Sequence, residues 1–193
     1  STQAKTLFPY TTLFRSVQNI KASDSQSGLR VSFRLHDGKI ILQGSLSDQG
    51  FIVAANEALE LSLPQPMTSI SRPGLGVLAL GPREWLVITP EGSEGNLYQH
   101  LQKILSPYSH GLAIVSDALV VITMSGPKAR DVLAAGCALD FHPRVFQTGK
   151  VVRTLLARTS VIVHRASDQA YDLYIGRSYA NYLASWILSL KLG

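Results

Sequence analysis

Cysteine is all but absent from this chain, and that absence sets the first bound on its chemistry. The single Cys137 has no internal disulfide partner, which excludes a disulfide-stapled secreted fold and fits a reducing, cytoplasmic setting. Long hydrophobic runs are missing too, since no segment approaches the roughly 18 consecutive apolar residues of a membrane span. Charge is sparse, at 16% of residues. Lys and Arg number 18 against 13 Asp and Glu, for a net +5, but the basic residues form no block and do not alternate with aromatics. That scatter argues against a nucleic-acid surface and suits a surface that meets acidic protein subunits. The five histidines, His36, His100, His110, His142 and His164, have none of the paired spacings of a metal site.

What is present is a globular composition: 193 residues, 46% of them apolar, enough to bury a core in one domain or two interlocked subdomains. Residues Thr6 to Ser16, TLFPYTTLFRS, stand apart. They match the conceptual translation of a widely used sequencing-library adapter, and Pro9 breaks any helical or alternating period among Leu7, Phe8, Leu13 and Phe14. Residues 1–16 are therefore set aside as artefactual or disordered, and native sequence is expected from about Val17, in a unit over 17–193.

After a polar, Ser-rich stretch to Ser27, Leu29 to Leu35 and Lys39 to Leu42 read as a hairpin around His36-Asp37-Gly38. Leu59 to Ser71, with Pro64 and Pro66, reads as an irregular connection. Gly74 to Leu80 and Glu84 to Ile88 are strands joined at Gly81-Pro82-Arg83. Leu97, Leu101, Ile104 and Leu105 then share one helical face that Pro107 stops. Leu112 to Val115 and Leu119 to Met124 are strands linked by Ser116-Asp117. A helix follows Ser125-Gly126-Pro127, with Pro127 as its first residue, Ala129, Val132 and Leu133 inward, and Gly136 as a left-handed stop. Val151 to Ala157, Ser160 to Val163 and Tyr171 to Ile175 are strands. Ser178 to Leu190 is a helix with Tyr179, Leu183, Trp186, Ile187 and Leu190 on its apolar face. Strand pairs alternating with single helices imply the α+β class, with antiparallel or mixed sheets and helices on one side.

No catalytic set emerges from these residues. The glycines of Gly74 to Gly81 enter a strand instead of a strand-to-helix turn, so they cannot aim helix N–H groups at a phosphate. Cys137 has the apolar neighbours of a small buried hydrophobe. Asp140 and His142 stand at i and i+2, a spacing that serves a dyad only in extended or turned backbone, and a structural role is expected for them. Ser116-Asp117 has the composition of a turn, and Arg153, Arg158 and Arg177 that of solvated or interface arginines. Trp85 and Trp186 are expected in the chain's own core ahead of a partner contact.

In their order, several motifs resemble the sarcosine oxidase gamma subunit family. They are Gly81-Pro82-Arg83-Glu84-Trp85-Leu86, Val115-Ser116-Asp117, Ser125-Gly126-Pro127-Lys128-Ala129-Arg130-Asp131-Val132-Leu133, Cys137-Ala138-Leu139-Asp140-Phe141-His142, Gly149 with Arg153-Thr154, and Arg177-Ser178-Tyr179-Ala180 with Trp186. The resemblance covers about Arg72 to Leu190. It implies a shortened form of the folate-binding aminomethyltransferase fold of the glycine cleavage system. It also implies a noncatalytic place beside alpha, beta and delta subunits in a heterotetramer. In such complexes sarcosine is oxidatively demethylated to glycine at a flavin of another subunit, electrons pass to a second flavin and oxygen to give hydrogen peroxide, and tetrahydrofolate captures the one-carbon unit. FAD, FMN, NAD and tetrahydrofolate would then belong to the partners. No acid of a folate-dependent transferase stands at a matching position, so no catalytic, cofactor-binding or metal residue is carried over. The alternatives are a subunit of a related N-methylglutamate dehydrogenase and a stand-alone folate-binding aminomethyltransferase-like protein.

Overall fold

The computed structural model describes residues 22–24 and 28–190. The adapter-like segment and the expected start of native sequence lie outside the described residues. Alternating strands build two antiparallel sheets. Sheet A has six strands in the order β1 (Ala22–Asp24), β2 (Leu29–Arg34), β8 (Leu119–Ser125), β11 (Ala170–Gly176), β10 (Thr159–Ser167), β9 (Val151–Leu156). Sheet B has five, in the order β4 (Ser69–Arg72), β5 (Leu75–Gly81), β6 (Glu84–Thr89), β3 (Gly38–Gln43), β7 (Gly111–Ile114). All of sheet B is thus inserted between β2 and β8, which are hydrogen-bonded neighbours in sheet A.

Period-2 alternation gives each sheet two faces, and both faces find apolar partners. On sheet A, Val31, Val120, Ile122, Met124, Val161, Val163, Leu173 and Ile175 pack under α3 (Ala129–Gly136) and α4 (Ala180–Ser189). On sheet B, Ile40, Leu42, Val77, Trp85 and Val87 pack under α1 (Gln49–Leu59) and α2 (Glu94–Leu105). The opposite faces meet: Leu78 and Leu86 of sheet B pack with Val121, Val151, Ile162 and Tyr174 of sheet A. The order of layers is helix, sheet, sheet, helix, with helices on one side of each sheet, as the α+β expectation has it. At one corner the sheets are also joined by backbone, through Val151 N donating to Met67 O at 3.0 Å and a bridge between Thr68 and Lys150.

Four local expectations need correction. His36-Asp37-Gly38 is not a hairpin turn, because β2 pairs with β1 and β8 whereas β3 pairs with β6 and β7. It carries the chain from one sheet to the other, and a Cβ at Gly38 would collide with the Thr89 hydroxyl and the Glu94 carboxylate. Gly136 is the last residue of α3 and has no positive φ; it is small because the Trp186 ring lies where a Cβ would stand. Pro127 precedes the helix, whose N-cap is Lys128. The fourth helix starts at Ala180 after a 3₁₀ turn over Arg177–Tyr179, which leaves Tyr179 exposed and off the apolar face.

Candidate functional site

The gap between the sheets holds an apolar cluster of Leu78, Leu86, Val121, Val151, Ile162 and Tyr174, and the polar side chains beside it mark the places where something other than burial is being arranged. Arg34 of β2 donates from Nη2 to Asp172 Oδ2 of β11 at 3.0 Å and from Nε to Asp37 Oδ2 at 2.9 Å. Thr123 of β8 donates to the other Asp172 oxygen at 2.7 Å. Burial works against the Arg34 charge, but Asp172, Tyr174 and Asp37 outweigh it and its pKa rises. Burial, reinforced by the Asp172 charge, also pushes the neighbouring Tyr174 phenol well above its usual range.

Lys39 of β3 is fully buried and donates from Nζ to Asp37 O at 2.7 Å; burial lowers its pKa, with Asp37 opposing. Its backbone N–H goes to Ser116 Oγ at 2.9 Å, and Ser116 donates onward to Glu94 Oε1 at 3.1 Å. Ser116-Asp117 is the turn that the sequence suggests, but a turn between sheets: Arg177 Nε donates to Asp117 O at 2.6 Å. These bonds fix both crossovers between sheets. Asp172 and Asp37 are each held by a cation, whereas Glu94 Oε2 is buried without a hydrogen-bond partner among the described residues.

A serine, a histidine and an aspartate come together in the same layer. Ser69 of β4 and His164 Nε2 of β10 are 2.9 Å apart, and His164 lies opposite Asp172 in the β10–β11 register. The arrangement is nevertheless not a nucleophile with its base. The Ser69 hydroxyl donates to Gly149 O at 3.0 Å, so the hydrogen on Nε2 points at Ser69 Oγ and no lone pair is there to take the serine proton. His164 Nδ1 is buried without a hydrogen-bond partner among the described residues, and Asp172 is spent on Arg34 and Thr123. Burial lowers the His164 pKa, with the Asp172 charge opposing and Arg34 adding to the fall. The contact ties β4 to β10 across the sheets.

The residues weighed in the sequence are scattered. Cys137 is buried 3.5 Å from Thr154 Oγ1. Asp140 accepts the His142 backbone N–H at 2.8 Å, and His142 Nδ1 accepts the Arg144 N–H at 3.3 Å, so both cap an exposed turn. Arg153 pairs with Glu84 at 2.7 Å, Arg177 holds the Asp117 turn, and Arg158 sits exposed at a hairpin tip. Trp85 is fully buried with its indole N–H on Pro64 O at 3.2 Å, and Trp186 is half-buried against Gly136. Among the described residues no group of three His, Cys, Asp or Glu could hold a metal. No described helix is long and apolar enough to cross a membrane.

An open cleft of about 350 Å³ lies at one end of the β7–β3–β6 part of sheet B. Its floor is a row across three strands, Gly111, Gln43 and Glu84, adjacent in register. Arg83, Ser109 and His110 form its walls. The His110 Nδ1 atom lies 2.9 Å from Tyr108 O and donates to it.

A fold of this kind is matched over residues 43–191 by the family model for the sarcosine oxidase gamma subunit. The chain belongs to that family. The curated sarcosine oxidase subunit gamma of Corynebacterium sp. (strain P-1) is 33% identical over 141 residues, 72% of this chain and 68% of that protein. The Arthrobacter sp. protein of the same name is 32% identical over 133 residues, 68% of this chain and 64% of that one. A chain of the heterotetrameric sarcosine oxidase from Corynebacterium sp. U-96, solved with pyrrole 2-carboxylate, superposes with a TM-score of 0.81 at 23% identity, covering 93% of this chain and 91% of that one. Glycine cleavage system aminomethyltransferase T from Bartonella henselae superposes with a TM-score of 0.65 at 14% identity, over 84% of this chain but 46% of that one. The gamma-subunit fold is thus a part of the larger transferase fold, as the motif order implies. Sequence reading missed the buried ion network and the cleft. The available signal was a lone charge inside an apolar strand, Lys39 before Ile40-Ile41-Leu42 and Asp172 between Tyr171 and Leu173.

Proposed function

We propose that this chain is the noncatalytic gamma subunit of a cytoplasmic heterotetrameric sarcosine oxidase, stabilising the assembly that oxidatively demethylates sarcosine. The observation that carries the reading is the family match over 43–191. The hold of Arg34 on Asp172 and Asp37, and the tie that the Ser69–His164 contact makes between the sheets, support it. In this reading FAD, FMN, NAD and tetrahydrofolate are bound by the alpha, beta and delta partners. The one-carbon unit passes to tetrahydrofolate there, and hydrogen peroxide is formed there.

Co-expression of the chain with candidate flavin-bearing subunits, followed by pull-down on this chain, tests the proposal. A yellow complex with sarcosine-dependent peroxide formation, whose yield depends on this chain, is the expected result. Activity with N-methylglutamate in place of sarcosine would move the assignment to that dehydrogenase. The transferase-like fold favours one rival, a stand-alone folate-binding protein. A chain that stays monomeric among the flavin subunits and binds tetrahydrofolate by itself would establish that rival instead.

A further inference from the structure

The cleft at the end of sheet B has a charge pattern that the fold does not use. Of its ionic groups, Glu84 is already neutralised by Arg153 of sheet A at 2.7 Å. Arg83 is exposed and has no carboxylate partner among the described residues, although its carbonyl is fixed by Gly44 N–H at 3.2 Å. The cleft therefore presents one guanidinium without a carboxylate partner among the described residues. Because His110 Nδ1–H donates to Tyr108 O, the imidazole tautomer that makes this bond has Nε2 as its acceptor. Gln43 adds an amide with both donor and acceptor, and Ser109 a hydroxyl. A small anion would satisfy Arg83 and leave the His110 acceptor and Gln43 unused. A peptide satisfies all of them, with a carboxylate on the Arg83 fork and a backbone N–H on His110 Nε2.

Two further features shape the cleft. A Cβ at Gly111 would stand 2.9 Å from Gln43 Oε1 and 3.3 Å from Gln43 Cβ, so any larger residue there displaces the Gln43 side chain and changes the cleft floor. Leu155, two residues beyond Arg153 on the same face of β9, is 61% exposed on the face that elsewhere packs between the sheets. It puts an exposed apolar side chain on the same face of β9 as Arg153, the partner of Glu84 on the cleft floor.

We propose that this cleft docks an extended acidic segment of a flavin-carrying partner subunit, with an Asp or Glu side chain on Arg83 and an apolar neighbour on Leu155. The inference rests on the gamma-subunit reading, and the basic excess that remains outside residues 1–16, 16 Lys and Arg against 13 Asp and Glu, complements such a partner. The test uses the complex obtained by co-expression and measures dissociation of the gamma chain from it on dilution, for wild type, Arg83→Glu, Leu155→Asp and, on the outer face of α1, Val53→Asp. The first two are expected to weaken assembly about tenfold or more, the third to leave it unchanged, and all free chains to melt like wild type. Gly111→Leu should weaken assembly in the same way while leaving every charge in place. If wild type assembles and Arg83→Glu and Leu155→Asp assemble equally well, the docking site is wrong and the subunit reading stands. Failure of wild type to assemble defeats the subunit reading and this proposal with it. Acetate binding to the free chain, together with normal assembly of Arg83→Glu, would make the cleft a small-anion site and overturn the docking role.

Discussion

At single residues, the positions that sequence patterns treat as ordinary are the ones under most constraint. The β9–β10 hairpin turns at Ala157 and Arg158, whose φ values are 48° and 66°. A two-residue turn of this hand normally uses Asn-Gly, because a Cβ costs roughly 1 kcal/mol in the left-handed region. Here Ala157 N–H bonds Gly136 O at 3.0 Å and Tyr182 OH bonds Ala157 O at 2.9 Å, which hold the strained pair in place. Arg158→Gly relieves one of the two and is expected to raise the melting temperature by about 2–4 °C in a thermal scan. Gly136 behaves in the opposite sense. Ala is the better helix former by about 1 kcal/mol, yet Gly136→Ala pushes a methyl into the Trp186 ring, and overpacking of this kind costs about 1–3 kcal/mol. Net destabilisation with a shifted Trp186 emission is expected, and an unchanged spectrum with a higher melting point would show that the ring moves freely. The glycine was visible in the sequence but its reason was not, since its constraint comes from a tryptophan 50 positions away. His164 gives stability a pH dependence. Its folded pKa is lowered by burial, so above the unfolded value of about 6.5 neither state binds the proton and the group contributes no slope. As pH falls below about 6.5, the unfolded chain takes up a proton that the folded one refuses, and stability declines until the lower folded pKa is reached. His164→Gln should flatten urea-unfolding free energies between about pH 6.5 and 5 relative to wild type; equal slopes in both would remove His164 as the cause.

At the scale of elements, the type of an element was legible where its periodicity was long, and its partner was not. Leu97, Leu101, Ile104 and Leu105 fall on the buried side of α2 as their spacing requires, and β5, β6, β8 and β11 lie where alternating residues put them. The helix α1 went unread because Gly50 in its first turn and exposed Val53 break the apparent stripe. Its cap is nevertheless a standard one, Asp48 Oδ1 accepting the Phe51 N–H at 3.0 Å. Asp48→Ala is expected to cost about 1 kcal/mol in denaturant unfolding, with Asp48→Asn recovering most of it. The β2–β3 hairpin failed for another reason. Alternation reports that a strand has two faces, not which strand lies beside it, and the two crossover links are set by long-range bonds such as Lys39 N to Ser116 Oγ, 77 positions apart.

For the whole molecule, the open question is whether two sheets, each with its own helices, behave as one unit. Three apolar clusters alternate with the layers, and the middle one is shared by both sheets. The polar bridges add specific ties: Arg34 links Asp172 of sheet A to Asp37 at the crossover, and Ser69 of sheet B meets His164 of sheet A. A shared middle layer couples the sheets, because unfolding either one would expose Leu78, Leu86, Val121 and Ile162 of both. The two tryptophans report on the two halves, Trp85 under α1 with Phe51 6.0 Å away and Trp186 against α3. In Trp85→Phe and Trp186→Phe single-tryptophan forms, fluorescence and far-UV circular dichroism are expected to give one coincident urea transition. Asp172→Asn supplies the sharper test. It removes a carboxylate whose side chain is 7% exposed from an Arg34 that is 41% exposed, so the loss falls below that of a fully buried pair, at about 2 kcal/mol. Asp172 belongs to sheet A alone, and in a cooperative molecule its loss must still shift the Trp85 transition of sheet B by the same amount. A shift seen by Trp186 and not by Trp85 would mean that the sheets fold as separate subdomains and that the layer between them is an interface, open to rearrangement when a partner binds.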